Sequence, residues 1–149
     1  MCQIDLKYLQ YLVNICSGEF EFIYHFTQNV KECYPKASEQ EVKSISLIVI
    51  GLLLEKKLLQ VYDFYSQELL GSTTEDSLGT INNLWFEGAS YIDFISLVNF
   101  TPKEWFVNLL KEKGYNFQDN WLEYISENLW LQDLLRISQA DIQKVEAML

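Results

Sequence analysis

Between Ile45 and Leu54 the chain reads ISLIVIGLLL, a stretch in which only Ser46 and Gly51 interrupt large aliphatic side chains. Such a segment has to be covered, because apolar surface left in water costs roughly 25 cal/mol per Å². A helix that is apolar all round belongs inside a core. It is too short for a bilayer, which takes about 20 apolar residues, and Glu55, Lys56 and Lys57 end it abruptly. The expectation is a buried central helix over about residues 39–58. Ser38 and Glu41 supply the S-x-x-E spacing of a capping box at its start.

The remaining elements follow from periodicity and punctuation. Ile4, Tyr8, Leu12 and Cys16 recur every fourth residue, and Phe22, Ile23, Phe26, Val30 and Cys33 mark a second amphipathic helix ending before Pro35. Residues 1–34 therefore read as a helical hairpin. Gln60–Tyr65 is rich in β-formers and Thr80–Phe86 reads as its return strand, a small β-hairpin around an acidic loop at Gly71–Asp76. Tyr91–Phe100 has an ambiguous period and is read as helix. Thr101, Pro102 and Glu104 match an N-cap, first helical position and third position, opening a helix that Gly114 closes. Trp105, Phe106, Leu109 and Leu110 form its inner stripe. Asp119 or Asn120 starts another helix, a break follows Asn128, and Ser138 with Asp141 caps a last short one. The sum is a mainly α, single-domain helical bundle of 149 residues, in three parts: 1–34, 38–100 and 101–149.

The N-terminus has no apolar stretch before a cleavage site, so a cytoplasmic protein is expected. Three cysteines, Cys2, Cys16 and Cys33, without a CxxC spacing are expected to be reduced and packed. In an antiparallel hairpin Cys16 and Cys33 would stand roughly 22 Å apart at 1.5 Å per residue, too far to bridge.

Charge is more informative than composition. Twenty-one acidic and eleven basic residues leave a net charge of −10, and Leu58–Pro102 contains no Lys or Arg at all. That stretch holds Asp63, Glu68, Glu75, Asp76, Glu87 and Asp93. A second basic-free stretch, Gly114–Leu135, adds Asp119, Glu123, Glu127 and Asp133. Acidity of this kind keeps a protein soluble; its segregation suggests a surface made to meet something basic.

No motif identifies a reaction. The single histidine, His25, lacks the orienting group of a catalytic base and reads as a packed or surface residue. H-E-x-x-H, E-x-x-H and glycine-rich phosphate loops are missing, so neither a metal nor a cofactor is expected. A helix followed by a β-rich segment at residues 39–65 is compatible with a winged helix, but the would-be wing lacks the cations that neutralise phosphates. Nucleic acid and membrane are therefore not expected partners.

The segment EVKSISLIVIGLLLEKKLLQVYDF, the acidic loop, Trp85-Phe86 and FTPKEWFVNLL at 100–110 together resemble the layout of immunity proteins from bacterial polymorphic toxin and contact-dependent growth inhibition systems, over roughly residues 39–113. The resemblance implies a protein without catalysis of its own that binds a cognate toxin domain. It brings no fixed functional residues. If that toxin is a basic nuclease, the acidic positions Asp63, Glu68, Glu75, Asp76 and Glu87, and then Asp119, Glu123 and Glu127, are the expected contact residues. Trp85 is either a binding anchor or core, while Trp105 sits on an apolar stripe and reads as structural. Two other readings stay open: an acidic adaptor or regulatory subunit binding a basic protein, and a small carboxylate-based enzyme. The oligomeric state is not legible.

Overall fold

A computed structural model describes residues 23–71, 73–89, 97–116 and 119–149, together with Asp93. Within them the chain is mostly helical, with one two-stranded antiparallel sheet. The order is α1 (Ile23–Cys33), α2 (Glu39–Glu55), β1 (Leu59–Asp63), α3 (Thr74–Leu84), β2 (Val98–Pro102), α4 (Glu104–Glu112), α5 (Trp121–Glu127), α6 (Leu129–Leu135) and α7 (Gln139–Glu146). The helix expected at residues 4–16 lies outside the described residues. None of the described helices is long and apolar enough to cross a membrane.

The capping box forms as read: the Ser38 hydroxyl accepts from the Glu41 N–H at 3.2 Å and the Glu41 carboxylate from the Ser38 N–H at 3.3 Å. The helix it opens packs against α1, α3 and β1. Val42, Ile45, Val49, Ile50 and Leu53 are fully covered, whereas Leu47, Ile48, Leu52 and Leu54 are only half-buried. The helix is therefore not enclosed on every side. Both interruptions of the aliphatic run acquire a meaning. Gly51 sits where a Cβ would meet Leu78 Cδ1 at 3.0 Å, so the glycine lets α3 approach. Ser46 is buried with its hydroxyl unbonded, a burden of about 1–3 kcal/mol on the helix.

The expected hairpin is corrected. Thr80–Phe86 is no strand; most of it belongs to α3, whose N-cap Thr73 accepts the Asp76 N–H at 3.1 Å. The partner of β1 is β2, in the register Leu59↔Pro102, Val61↔Phe100 and Asp63↔Val98. The end of the segment read as helix at Tyr91–Phe100 is thus strand, and the following helix starts at Glu104 with Lys103 as its N-cap rather than Thr101. Pro102 fits the strand because Leu59↔Pro102 is not a hydrogen-bonded pair: the bond runs from the Lys103 N–H to the Leu58 carbonyl at 2.8 Å, so proline's missing donor costs nothing. Phe100 carries the sheet into the core, meeting Phe26 of α1 edge-on with centroids 5.1 Å apart.

On α4 the inner positions are Phe106 and Leu110, with Leu109 half-covered. Trp105 is 42% exposed, yet its indole N–H donates to the Lys57 carbonyl at 2.7 Å and so ties α4 to the end of α2. The later elements follow the reading closely: Asn120 caps α5, the chain breaks at Asn128, and the Ser138 hydroxyl accepts the Asp141 N–H at 3.2 Å to open α7. Tyr115, Trp121 and Tyr124 form an aromatic cluster beneath this region.

The cysteines depart from expectation. Cys33, buried at the end of α1, is disulfide-bonded rather than reduced. The chain's other two cysteines, Cys2 and Cys16, lie outside the described residues.

Candidate functional site

β1 ends in a tight turn rather than a hairpin. The Asp63 carboxylate accepts two backbone N–H groups, from Tyr65 at 3.0 Å and Ser66 at 2.8 Å, the local geometry in which an aspartate holds its own chain in a turn. The Ser66 N–H, aided by the Ser66 hydroxyl and the Tyr65 N–H, holds the Asp63 carboxyl below its usual range because these donors favour the charged form. Gln67, at φ 58°, donates from its side chain to the Phe64 carbonyl at 2.6 Å and to Asn99 Oδ1 of β2 at 3.3 Å. The Asp63 N–H then meets the Glu68 carbonyl at 2.9 Å, and Leu69 bridges back to Tyr62.

This pinned turn presents apolar side chains to solvent. Tyr65 is 82% exposed and Leu69 61%, with Phe64 edge-on to Tyr65 at 5.1 Å. Glu68 lies between them in sequence and is exposed as well. The start of α3 is drawn to the same end of the fold, because the Ser77 hydroxyl donates to the Leu70 carbonyl at 2.7 Å. Gly71 makes that approach feasible: with φ 66°, a Cβ there would stand 2.8 Å from the Ser77 nitrogen. Glu75 and Asp76 occupy the first turn of α3, where they also favour the helix dipole. Asp63 and Glu68 thus belong to the turn that exposes Tyr65 and Leu69, while Glu75 and Asp76 stand at the start of α3, which is tied to the returning segment at Leu70 and Gly71.

The other expected contact residues lie elsewhere. Trp85 and Glu87 are at the far end of α3, about 16 Å along a helix of this length. Trp85 is 6% exposed, beneath the Lys43 ammonium at 5.9 Å from its ring, so it is packed rather than presented. Lys43 also donates to the Trp85 carbonyl at 2.9 Å and closes the C-terminus of α3. The neighbouring Phe86 is the exposed aromatic there, at 50%. Asp119 has a local task, accepting the Asn116 N–H at 3.0 Å. Glu123 and Glu127 stand one turn apart on the exposed side of α5. Nearby, burial and then the Asp119 charge raise the Tyr124 phenol.

Tyr65 and Leu69 were not among the residues singled out from sequence, since Tyr65 was read as the end of a strand. The spacing of Asp63 and Ser66 is the signal that marks a turn there. His25 is half-buried and edge-on to Tyr24 at 5.7 Å. Among the described residues, no three His, Cys, Asp or Glu side chains converge as metal ligands. No protein-family model, curated protein or solved structure matches the chain.

Proposed function

We propose that the chain is a non-catalytic inhibitor, a toxin-neutralising immunity protein that docks on a basic cognate toxin domain, of nuclease type, and denies it substrate. The observation that carries this reading is the 63–69 turn: an exposed tyrosine and leucine on a backbone already fixed by hydrogen bonds, with Asp63 and Glu68 in the turn and Glu75 and Asp76 opening the helix that Ser77 ties to Leu70. A rigid aromatic anchor loses little entropy on binding, and a surrounding field of one sign speeds encounter with a basic cleft. Disulfides persist in oxidising compartments, so the bond at Cys33 weighs against a reducing cytosol as the place of action. Inhibition itself requires only that both proteins share a compartment.

The test is stopped-flow association of the purified chain with the toxin domain encoded beside it, at low and high salt, with the toxin's turnover followed in parallel. Replacing Glu68 and Glu75 by Gln and Asp76 by Asn together should slow association at low salt by about tenfold, with a stability loss of about 1 kcal/mol from the weakened start of α3. Tyr65→Ala should instead raise the dissociation rate by roughly thirtyfold, the equivalent of about 2 kcal/mol. Unchanged rates in both variants would remove the turn from the interface, and undiminished toxin turnover in the complex would remove inhibition.

A further inference from the structure

At the end of α3 away from the acidic turn, three elements border a cavity of about 150 Å³. From α1 come Thr27 and Lys31, one turn apart; from the first turns of α2 come Glu39, Val42 and Lys43; and from the chain leaving α3 come Trp85, Phe86 and Glu87. Val42 and Trp85 are covered by the protein, whereas Phe86 is exposed. The turn that carries Phe86 and Glu87 there is closed by the Ala89 N–H on the Phe86 carbonyl at 3.2 Å. A space of this size admits about one benzene ring.

Two cations and two anions line the cavity, and none of the four is ion-paired among the described residues. Glu39 and Lys43 have the i, i+4 spacing at which such residues ordinarily pair on a helix. They do not, because the Lys43 ammonium is drawn across to α3, where it donates to the Trp85 carbonyl at 2.9 Å and to the Asn82 carbonyl at 3.4 Å. An ammonium carries three N–H donors, so one remains. The buried Thr27 hydroxyl donates to the Tyr24 carbonyl at 2.8 Å and keeps its lone pairs for accepting. Lys31, Glu39 and Glu87 are exposed and uncommitted. A plain anion entering here meets Glu39 and Glu87, and a plain cation meets Lys31 and Lys43, whereas a small molecule bearing both charges answers all four. Val42, Trp85 and Phe86 add the apolar lining on which a side chain packs.

We infer that this cavity binds a free α-amino acid with an apolar side chain. Lys31 and Lys43 take its carboxylate, Glu39 and Glu87 take its ammonium, and the side chain lies against Val42, Trp85 and Phe86. The site shares no residue with the 63–69 turn or with the start of α3. It therefore stands or falls apart from the inhibitor reading.

The experiment is an NMR titration of the full chain with L-phenylalanine and with the two compounds that keep its ring but only one of its charges, phenylpropionate and phenethylamine. L-Phenylalanine should bind with a Kd of about 1 mM or below and shift the Trp85 indole and Ala89 amide signals. Each singly charged compound should bind at least about tenfold more weakly. With its circular dichroism spectrum unchanged, E39Q/E87Q should lose about tenfold for L-phenylalanine and gain affinity for phenylpropionate, while K31Q should weaken both. Lys43 is left in place because it also closes α3. The inference is overturned if L-phenylalanine fails to bind, if its shifts map away from Trp85 and Ala89, or if E39Q/E87Q binds it as the parent chain does. Phenylpropionate or phenethylamine binding as tightly as L-phenylalanine would make this a site for one charge alone and also overturn it.

Discussion

Two helix ends in this chain close with the same pair of hydrogen bonds and different residues. After α2, the Lys57 N–H reaches the Leu54 carbonyl and the Leu58 N–H the Leu53 carbonyl; after α4, Gly114 and Tyr115 do the same with Lys111 and Leu110. Both turns need a left-handed residue, and φ is 58° at Lys57 and 87° at Gly114. Lysine there costs about 1 kcal/mol that glycine would not, an amount partly offset by glycine's larger loss of freedom on folding. Lys57→Gly should therefore stabilise the chain by about 0.5 kcal/mol. Gly114→Ala should destabilise it by about 1 kcal/mol, and through the backbone alone, since nothing lies within 4 Å of the added methyl. Urea denaturation midpoints read both, and shifts of the same sign would contradict this account. Gly114 was legible from sequence because it ends an amphipathic stripe. Lys57 was not, because a lysine near a helix end also fits the dipole, and only the indole N–H of Trp105 on the Lys57 carbonyl shows how the turn is held.

At the scale of elements, the 63–69 turn depends on a charge. The Asp63 pKa is lower in the folded chain than in the unfolded one, so its contribution is present above the ordinary carboxylate range and is lost as pH falls through the folded value. Acidification should free the Tyr65 and Ser66 amides to exchange before the protein unfolds, and Asp63→Ala, which removes the accepting oxygen, should bring the same exchange at neutral pH. Amide exchange that stays level across that range would show the turn held by Gln67 alone. The capped helices could be read from sequence because capping chemistry is local: Ser38 with Glu41, Asn120, and Ser138 with Asp141 each announce a helix within four residues. The sheet could not, since Thr101-Pro102-Lys103-Glu104 satisfies the rules for a helix start while the register with Leu59 assigns Thr101 and Pro102 to a strand. α3 was missed for a related reason: Gly79, Asn82 and Asn83 are weak helix formers, and its hold comes from the Thr73 cap, Lys43 at its far end and Ile81 in the core.

For the whole molecule, the concentration of acid along Leu58–Pro102 was plain in the sequence, but its distribution in space was not, because one helix separates Glu75 and Asp76 from Glu87. The disulfide was missed because three cysteines without a CxxC spacing, in a chain expected to be cytoplasmic, read as reduced. The one strand pairing of the described fold joins residues 59–63 to 98–102, so α3 lies in a loop whose two ends the sheet fastens together. Gly88, exposed, at φ 83° and with open space around it, marks a point in that loop where the covalent chain has little to do. Severed between Gly88 and Ala89, the protein should persist as a noncovalent pair. Fragments 1–88 and 89–149, each bringing one strand, should co-purify one to one with the circular dichroism of the intact chain and separate on dilution; failure to associate would show that the seam needs the tether. A molecule that reassembles this way carries its own reporter of proximity, since two proteins fused to the halves would restore the fold only when they meet.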